Sequence, residues 1–212
     1  NLFQALEQHP YQLFVNVGSS SEYGLQNQPM SELHTVPKPN SYYAISKLTA
    51  TQLSQLRVAT KSEPIVSVRL FSVYGPYEEA TRLVPTLLKK IRAKDSISLT
   101  HPPTVRDFIY VDDVIDFFLQ SDELKKQVGK VFNLGSGKET SVLELVRTAE
   151  KTLHKKALID KSTYPLRSWD AVHWCADMAV TFNHFSWRPQ TSIELGLQKT
   201  DEWFKTHLSL WA

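Results

Sequence analysis

The chain has 212 residues, 42% of them hydrophobic, and its 24 basic and 22 acidic side chains give a formal net charge of +2. That is material for one large globular domain or two small ones, and the even spread of charge excludes the basic stripe that phosphate-backbone binding needs, so no nucleic-acid partner is expected. A single cysteine, Cys175, excludes an internal disulfide, and no apolar run reaches the length of a bilayer span, so a cytoplasmic protein without membrane association is expected.

In chain order, the opening NLFQALEQ (Asn1–Gln8) has Leu2, Phe3 and Leu6 at helical spacing with almost no room for a cap, so the chain is expected to begin inside a helix. QLFVNV (Gln12–Val17) reads as a buried strand ending at Gly18, and a polar loop rich in Pro, Asn and Ser follows to about Ser41. The spacing predicts a helix from Tyr42 to Ala59, one β-branched strand over Ile65–Val73 stopped by Gly75-Pro76, and an amphipathic helix over Leu83–Ala93. DFIYV (Asp107–Val111) is a short strand, with Asp112 or Asp113 placed to cap the helix that follows. VFNL (Val131–Leu134) is another strand, and Ser141 with Glu144 three residues on forms a capping box. From Ala157 the tail is expected to be less regular until a helix over Ile193–Phe204. Alternating strands and helices imply a parallel α/β sheet.

Chemistry enters with SYYAISK (Ser41–Lys47). Tyr43 and Lys47 lie four apart on a helix, so both occupy one face about one turn apart. A phenol with a pKa of about 10 is a poor acid or base at neutral pH, and a neighbouring ammonium favours its phenolate. A serine hydroxyl at a neighbouring strand end, in NVGSSSEYG (Asn16–Gly24), would hold the oxygen whose proton the tyrosine exchanges. The alternatives are a chance Tyr-x-x-x-Lys and a serine turn that only caps local backbone. The seven histidines show no metal-ligand spacing, and Cys175 beside Trp174 reads as packed rather than nucleophilic, so no metal is expected.

The order of FVNVGSSSEYG, SYYAISK, VRLFSVYGPY, VRDFIYVDDV and VFNLGSG, closed by ADMAVTFNHFSWRPQTSIELGL (Ala176–Leu197), resembles the extended short-chain dehydrogenase/reductase family, specifically its nucleotide-sugar epimerases, dehydratases and ketoreductases. The resemblance implies a partial Rossmann-like, doubly wound parallel sheet with a smaller mixed α/β substrate lobe. Residues 1–75 and 106–133 would belong to the dinucleotide-binding part, and 76–105 and 134–212 to the lobe. By the same resemblance Tyr43 is the catalytic tyrosine, Lys47 lowers its pKa and holds the nicotinamide ribose, and Ser19, or the adjacent Ser20, is the sugar-facing hydroxyl. Arg106 would meet the nucleotide diphosphate, with an ordinary salt bridge to Asp107 or Asp113 as its alternative. Arg167 and Asp170 would contact diphosphate and sugar. The implied cofactor is NAD or NADP, the implied partner a nucleoside-diphosphate sugar, and a homodimer through the helices near Tyr42 and Leu83 would fit the family.

Three departures qualify the likeness. Ser72 stands where the family usually places an asparagine that contacts the sugar nucleotide. LTHPPTVRDF lacks a Gly-x-Gly turn before Arg106, and Ser20-Ser21 replace the Asp-Glu typical of 4,6-dehydratases, which disfavours water elimination. With only 7 glycines, the chain contains no glycine-rich pyrophosphate turn, so it is expected to be the C-terminal part of a longer enzyme rather than a stand-alone binding module.

Overall fold

A computed structural model describes residues 2–100, 104–164 and 173–207 of the chain. In chain order α1 (Leu2–Leu6) precedes β1 (Phe14–Ser19), α2 (Tyr42–Lys61), β2 (Ile65–Leu70) and β3 (Ser72–Tyr74). These lead to α3 (Leu83–Ala93), β4 (Ser96–Thr100), β5 (Val105–Arg106), β6 (Phe108–Tyr110), α4 (Val111–Phe118) and α5 (Ser121–Lys125). The remainder is β7 (Val131–Leu134), β8 (Thr140–Ser141), α6 (Val142–Leu153), β9 (Leu158–Tyr164), α7 (Ala179–His184) and α8 (Ile193–Thr206).

The main sheet is parallel in the order β1-β2-β7, with Ser19 of β1 opposite Leu70 of β2 and Leu70 opposite Leu134 of β7. β2 is the middle strand, and its IVSVRL sequence is almost entirely buried, as a strand covered on both faces must be. Three smaller pairings accompany it: β3-β6 and β4-β9 are parallel, and β5-β8 is antiparallel.

The single strand expected over Ile65–Val73 is two. The break falls at Phe71, whose amide donates to the carbonyl of Leu134 on β7 (3.0 Å), whereas the next amide, Ser72, donates to Asp107 just before β6 (2.9 Å). The chain changes sheet partner within one residue, and that switch carries Ser72 away from the main sheet. Nor does Asp112 or Asp113 cap α4: its N-cap is Tyr110, without a side-chain cap bond. The Asp113 carboxylate instead accepts the amides of Gln190 (2.9 Å) and Thr191 (3.1 Å), which ties the approach to α8 onto α4. At α6 the Ser141–Glu144 capping box is formed, with the Ser141 hydroxyl accepting the Glu144 amide at 3.1 Å. The tail is more regular than expected, because β9 and α7 lie within it.

The main sheet has two outer edges, and at each some backbone groups are met by side chains. At β7, the Asn133 amide donates to Glu32 (2.7 Å) and the Asn133 carbonyl accepts from the Thr181 hydroxyl (2.7 Å), so side chains occupy the groups that another strand would use. At β1, no strand pairs with the outer edge among the described residues.

Two apolar cores form. One gathers Val66, Val68, Phe117, Phe132 and Leu134 with Met178, Phe185 and Trp187; the other gathers Leu87, Leu88, Ile91, Leu145, Val146 and Leu197 with Phe108 and Tyr110. Residues after 134 thus enter the first core, and residues within 106–133 enter the second. No helix among the described residues is long and apolar enough to cross a membrane.

Two features of the second core lead to measurements. Tyr74, 2% exposed, lies so close to α8 that a Cβ on Gly196 would sit 1.9 Å from its hydroxyl. Gly196→Ala is expected to lose about 1–3 kcal/mol of stability through overpacking, read from the urea midpoint, and an unchanged midpoint contradicts the close approach. Between β3 and α3, burial pushes the Glu78 carboxyl up to about 7, and its Oε2 has no hydrogen-bond partner among the described residues. Because the folded value is raised above the ordinary carboxyl value of 4.5, this residue's contribution to stability is present below about 4.5 and is lost as pH rises through about 7. Thermal melts of Glu78→Gln across pH 4–8 are expected to show a weaker decline over that window than the native chain.

Candidate active site

The strand end is built around Glu22. Ser19 N-caps a 3-10 turn over Ser20–Tyr23: its hydroxyl accepts the Ser21 amide (3.2 Å) and the Ser21 hydroxyl (2.8 Å), while its own amide donates to Glu22 Oε1 (3.0 Å). With both acceptor positions filled, the Ser19 hydroxyl keeps its proton to donate outward. Glu22 is fully buried, and its Oε2 accepts from Arg69 Nε at 2.8 Å. The Arg69 guanidinium lies 4.4 Å over the Tyr23 ring, and the Tyr23 hydroxyl donates to Asn133 Oδ1 at 2.8 Å. Burial pushes Tyr23 up to about 12, so this tyrosine is a neutral structural donor and not the acid/base partner of Ser19.

Tyr43 and Lys47 sit on α2, started by Ser41, whose hydroxyl accepts the Ala44 amide (3.1 Å). The Lys47 ammonium lies 5.8 Å from the Tyr43 ring centroid and donates to the Val17 carbonyl at 2.9 Å, two residues before Ser19. That bond uses one of three ammonium protons. The Tyr43 side chain is 58% exposed, and its hydroxyl has no partner among the described residues. The phenol and the ammonium thus present a donor and a cation along one exposed helix face.

Ser20 has a different setting from Ser19. It is buried, and its hydroxyl accepts the indole N–H of Trp174 (2.9 Å), over whose ring the Arg106 guanidinium lies at 5.8 Å. The structure therefore places Arg106 beside the serine turn, joined to it through Trp174. Arg106 also donates to its neighbour Val105 (2.7 Å). The salt-bridge alternative with Asp107 does not form: that carboxylate is fully buried and accepts the Ser136 amide and hydroxyl (both 2.6 Å), the Gly137 amide and the Ala176 amide (both 3.0 Å). Asp113 is likewise held by Gln190 and Thr191. Asp107 leaves Gly135 no space for a side chain, since a Cβ there would meet Asp107 Oδ2 at 2.6 Å. Ser72 stands half-buried at the start of β3, opposite Phe108, which follows Arg106 by two residues in sequence. Arg167 and Asp170 lie outside the described residues.

An open cavity of about 950 Å³ lies between the 26–38 loop and Ser136–Lys138 with Ala176–Ala179, and none of Ser19, Tyr43 or Lys47 lines it. Tyr43 lies instead on an exposed face of α2, with Lys47 tied to β1. Sequence reasoning missed Glu22, Trp174 and Asp107 as parts of this site. Ser19-x-x-Glu22 has the same capping-box spacing as Ser141-x-x-Glu144 and was legible; the partners of Trp174 and Asp107 are remote in sequence and were not. Cys175 is packed, as its neighbours suggested: burial and the nearby Asp107 carboxylate push its thiol up to about 12. In the folded chain Cys175 is expected to resist iodoacetamide at pH 8 and to react fully in denaturant, and fast labelling of the native state contradicts that placement.

The NAD dependent epimerase/dehydratase family model matches residues 1–135. A UDP-glucuronate 4-epimerase of Thermodesulfobacterium geofontis is 30% identical over 99% of this chain and 64% of its own length. A dTDP-L-rhamnose 4-epimerase of Burkholderia thailandensis is 29% identical over 87% of this chain and 52% of its own. The chain thus spans only about half to two thirds of the length of these curated relatives. Among solved structures, UDP-glucuronic acid 4-epimerase from Bacillus cereus, in complex with UDP-glucuronic acid and NAD, superposes with a TM-score of 0.86 at 27% identity, covering 97% of this chain and 65% of that one. The dTDP-glucose 4,6-dehydratase of Bacillus anthracis in complex with NAD gives 0.86 at 25% identity, covering 99% and 67%. With its Rossmann-type parallel sheet and a match over residues 1–135, the chain belongs to the NAD dependent epimerase/dehydratase family.

Proposed function

We propose that this chain carries the acid–base and substrate-facing part of an NAD- or NADP-dependent nucleotide-sugar 4-epimerase or 4-keto reductase. The observation that carries the reading is the Lys47 tie to Val17, which fixes the Tyr43 face of α2 against the strand that ends in Ser19. When bound, the nicotinamide accepts and returns the hydride at the sugar carbon. In this proposal Tyr43 takes and returns the proton of the C4 hydroxyl, Lys47 favours its phenolate and holds a ribose hydroxyl, and the Ser19 hydroxyl donates to the same sugar oxygen. Arg106, steadied over Trp174, and the neighbouring Ser72 face the nucleotide end of the substrate, with Arg167 and Asp170 assigned to diphosphate and sugar.

The open outer edge of β1 supports a sheet that continues with further strands, which is where the glycine-rich pyrophosphate turn missing from this sequence would lie. The division into a dinucleotide part and a substrate lobe remains the organisation we propose, with the cytoplasm as its compartment. The exposed Ile45, Leu53 and Leu56 on α2 suit a helix-paired homodimer. A 4,6-dehydratase is the less favoured reading, because Glu22, the carboxylate nearest the serine turn in sequence, is fully buried and bonded to Arg69 rather than open to substrate.

The test is steady-state turnover of the full-length polypeptide with UDP-glucuronic acid, UDP-glucose and dTDP-glucose, followed by product analysis and nicotinamide absorbance. Tyr43→Phe is expected to lower kcat by about 10²–10⁴-fold in a folded protein; unchanged turnover removes the acid–base assignment.

A further inference from the structure

We propose that Glu22 is a positioning residue that sets the spacing between the Ser19 end of β1 and the α2 face carrying Tyr43 and Lys47, an inference that rests on the acid–base reading above. Glu22 touches three elements at once. Its Oε1 accepts the Ser19 amide (3.0 Å) and the Thr51 hydroxyl (3.2 Å), and its Oε2 accepts Arg69 of the middle strand (2.8 Å).

Thr51 is the helix end of this strut. It stands four residues beyond Lys47 and eight beyond Tyr43, so all three share one face of α2. It is 1% exposed, and its oxygen also accepts from Asn16 Nδ2 (3.3 Å), which in turn reaches Ser67 of β2 (3.2 Å). The face of α2 that bears the acid–base pair at its open end is thus anchored to β1 and β2 at its buried end.

The strand is shaped to admit the carboxylate. A Cβ on Gly18 would lie 2.4 Å from Glu22 Oε1, so only glycine leaves room for the side chain to fold back over β1. Burying a carboxylate is costly unless it is fully paired, and an apolar residue would fill the same volume without that cost. What the ionic arrangement adds is direction: it holds the Ser19 backbone, one helix position and one strand position in fixed relation, in a medium where such bonds are stiff. Glu22 itself has no access to a substrate, so it acts only through Ser19 and α2.

Glu22→Gln leaves buried Arg69 without its counter-charge and is expected to impair folding, so the decisive variants are Thr51→Val, which removes the hydroxyl at nearly constant volume, and Thr51→Ser, which restores it. With UDP-glucuronic acid and NAD, Thr51→Val is expected to lower kcat at least tenfold at a KM within twofold of native, and Thr51→Ser to recover kcat to within twofold. Amide hydrogen exchange at Ser19, read by NMR, is expected to rise at least tenfold in Thr51→Val and to recover in Thr51→Ser. A merely structural Thr51 would lower the melting temperature and leave kcat per folded molecule unchanged, and that result, or unchanged Ser19 exchange, overturns the proposal. If the native polypeptide turns over no nucleotide sugar, the acid–base reading falls, and Ser19 exchange alone decides whether the strut exists.

Discussion

The buried contact between Glu22 and Arg69 is the constraint on which the rest of this structure depends. A carboxylate and a guanidinium at 2.8 Å, exposed by 0% and 6% of their side chains, lie between β1, β2 and α2 where apolar packing would be expected. Removing either partner would strand a charge in a medium that cannot solvate it. The pair is tolerable because further partners hold it: the Ser19 amide and the Thr51 hydroxyl meet Glu22, and the Arg69 guanidinium lies over the Tyr23 ring. The strand end that carries Ser19 is therefore fixed by electrostatics, while the flanks of the sheet are fixed by apolar burial.

Two other buried carboxylates organise loop backbone. Asp107 turns its carboxylate inward to hold the amides of Ser136, Gly137 and Ala176, and Asp113 does the same for Gln190 and Thr191. Each acidic residue collects backbone donors of a segment that has no regular structure to satisfy them. Loops that connect the two cores are thus pinned at defined points, and Arg106 and Trp174 take their positions from those pins. The sheet edges follow the same logic: Glu32 and Thr181 meet backbone groups of β7, Lys47 meets the Val17 carbonyl of β1 and Glu22 meets the Ser19 amide, and neither edge pairs with a further strand among the described residues.

Much of this was open to inspection in the primary structure. The 4-residue spacing of Tyr43 and Lys47, the β-branched run of β2 and the Ser141 capping box are local patterns, each governed by neighbours within one helical turn or one strand, so composition and periodicity suffice to read them. The order of five short motifs was enough to indicate the family. Even Glu22 announced itself as a capping-box residue, although nothing local revealed that its second oxygen would be committed to Arg69, 47 residues away.

What the amino-acid sequence by itself determined, then, is most of the main helices and strands and the placement of Tyr43 and Lys47 one turn apart on α2, because those follow from short-range periodicity. Tertiary structure alone decided the break at Phe71, the use of Asp113 for a distant loop instead of a helix cap, the burial of Ser20 under Trp174 and the release of Arg106 from its neighbouring aspartate. In each of these a polar group has several partners of similar strength within reach along the chain, and the choice is made by which of them burial deprives of water. That competition is settled only when remote segments close over the site, which is why Ser19 and Ser20, adjacent and chemically alike, end with one hydroxyl proton free to donate outward and the other oxygen bound to an indole.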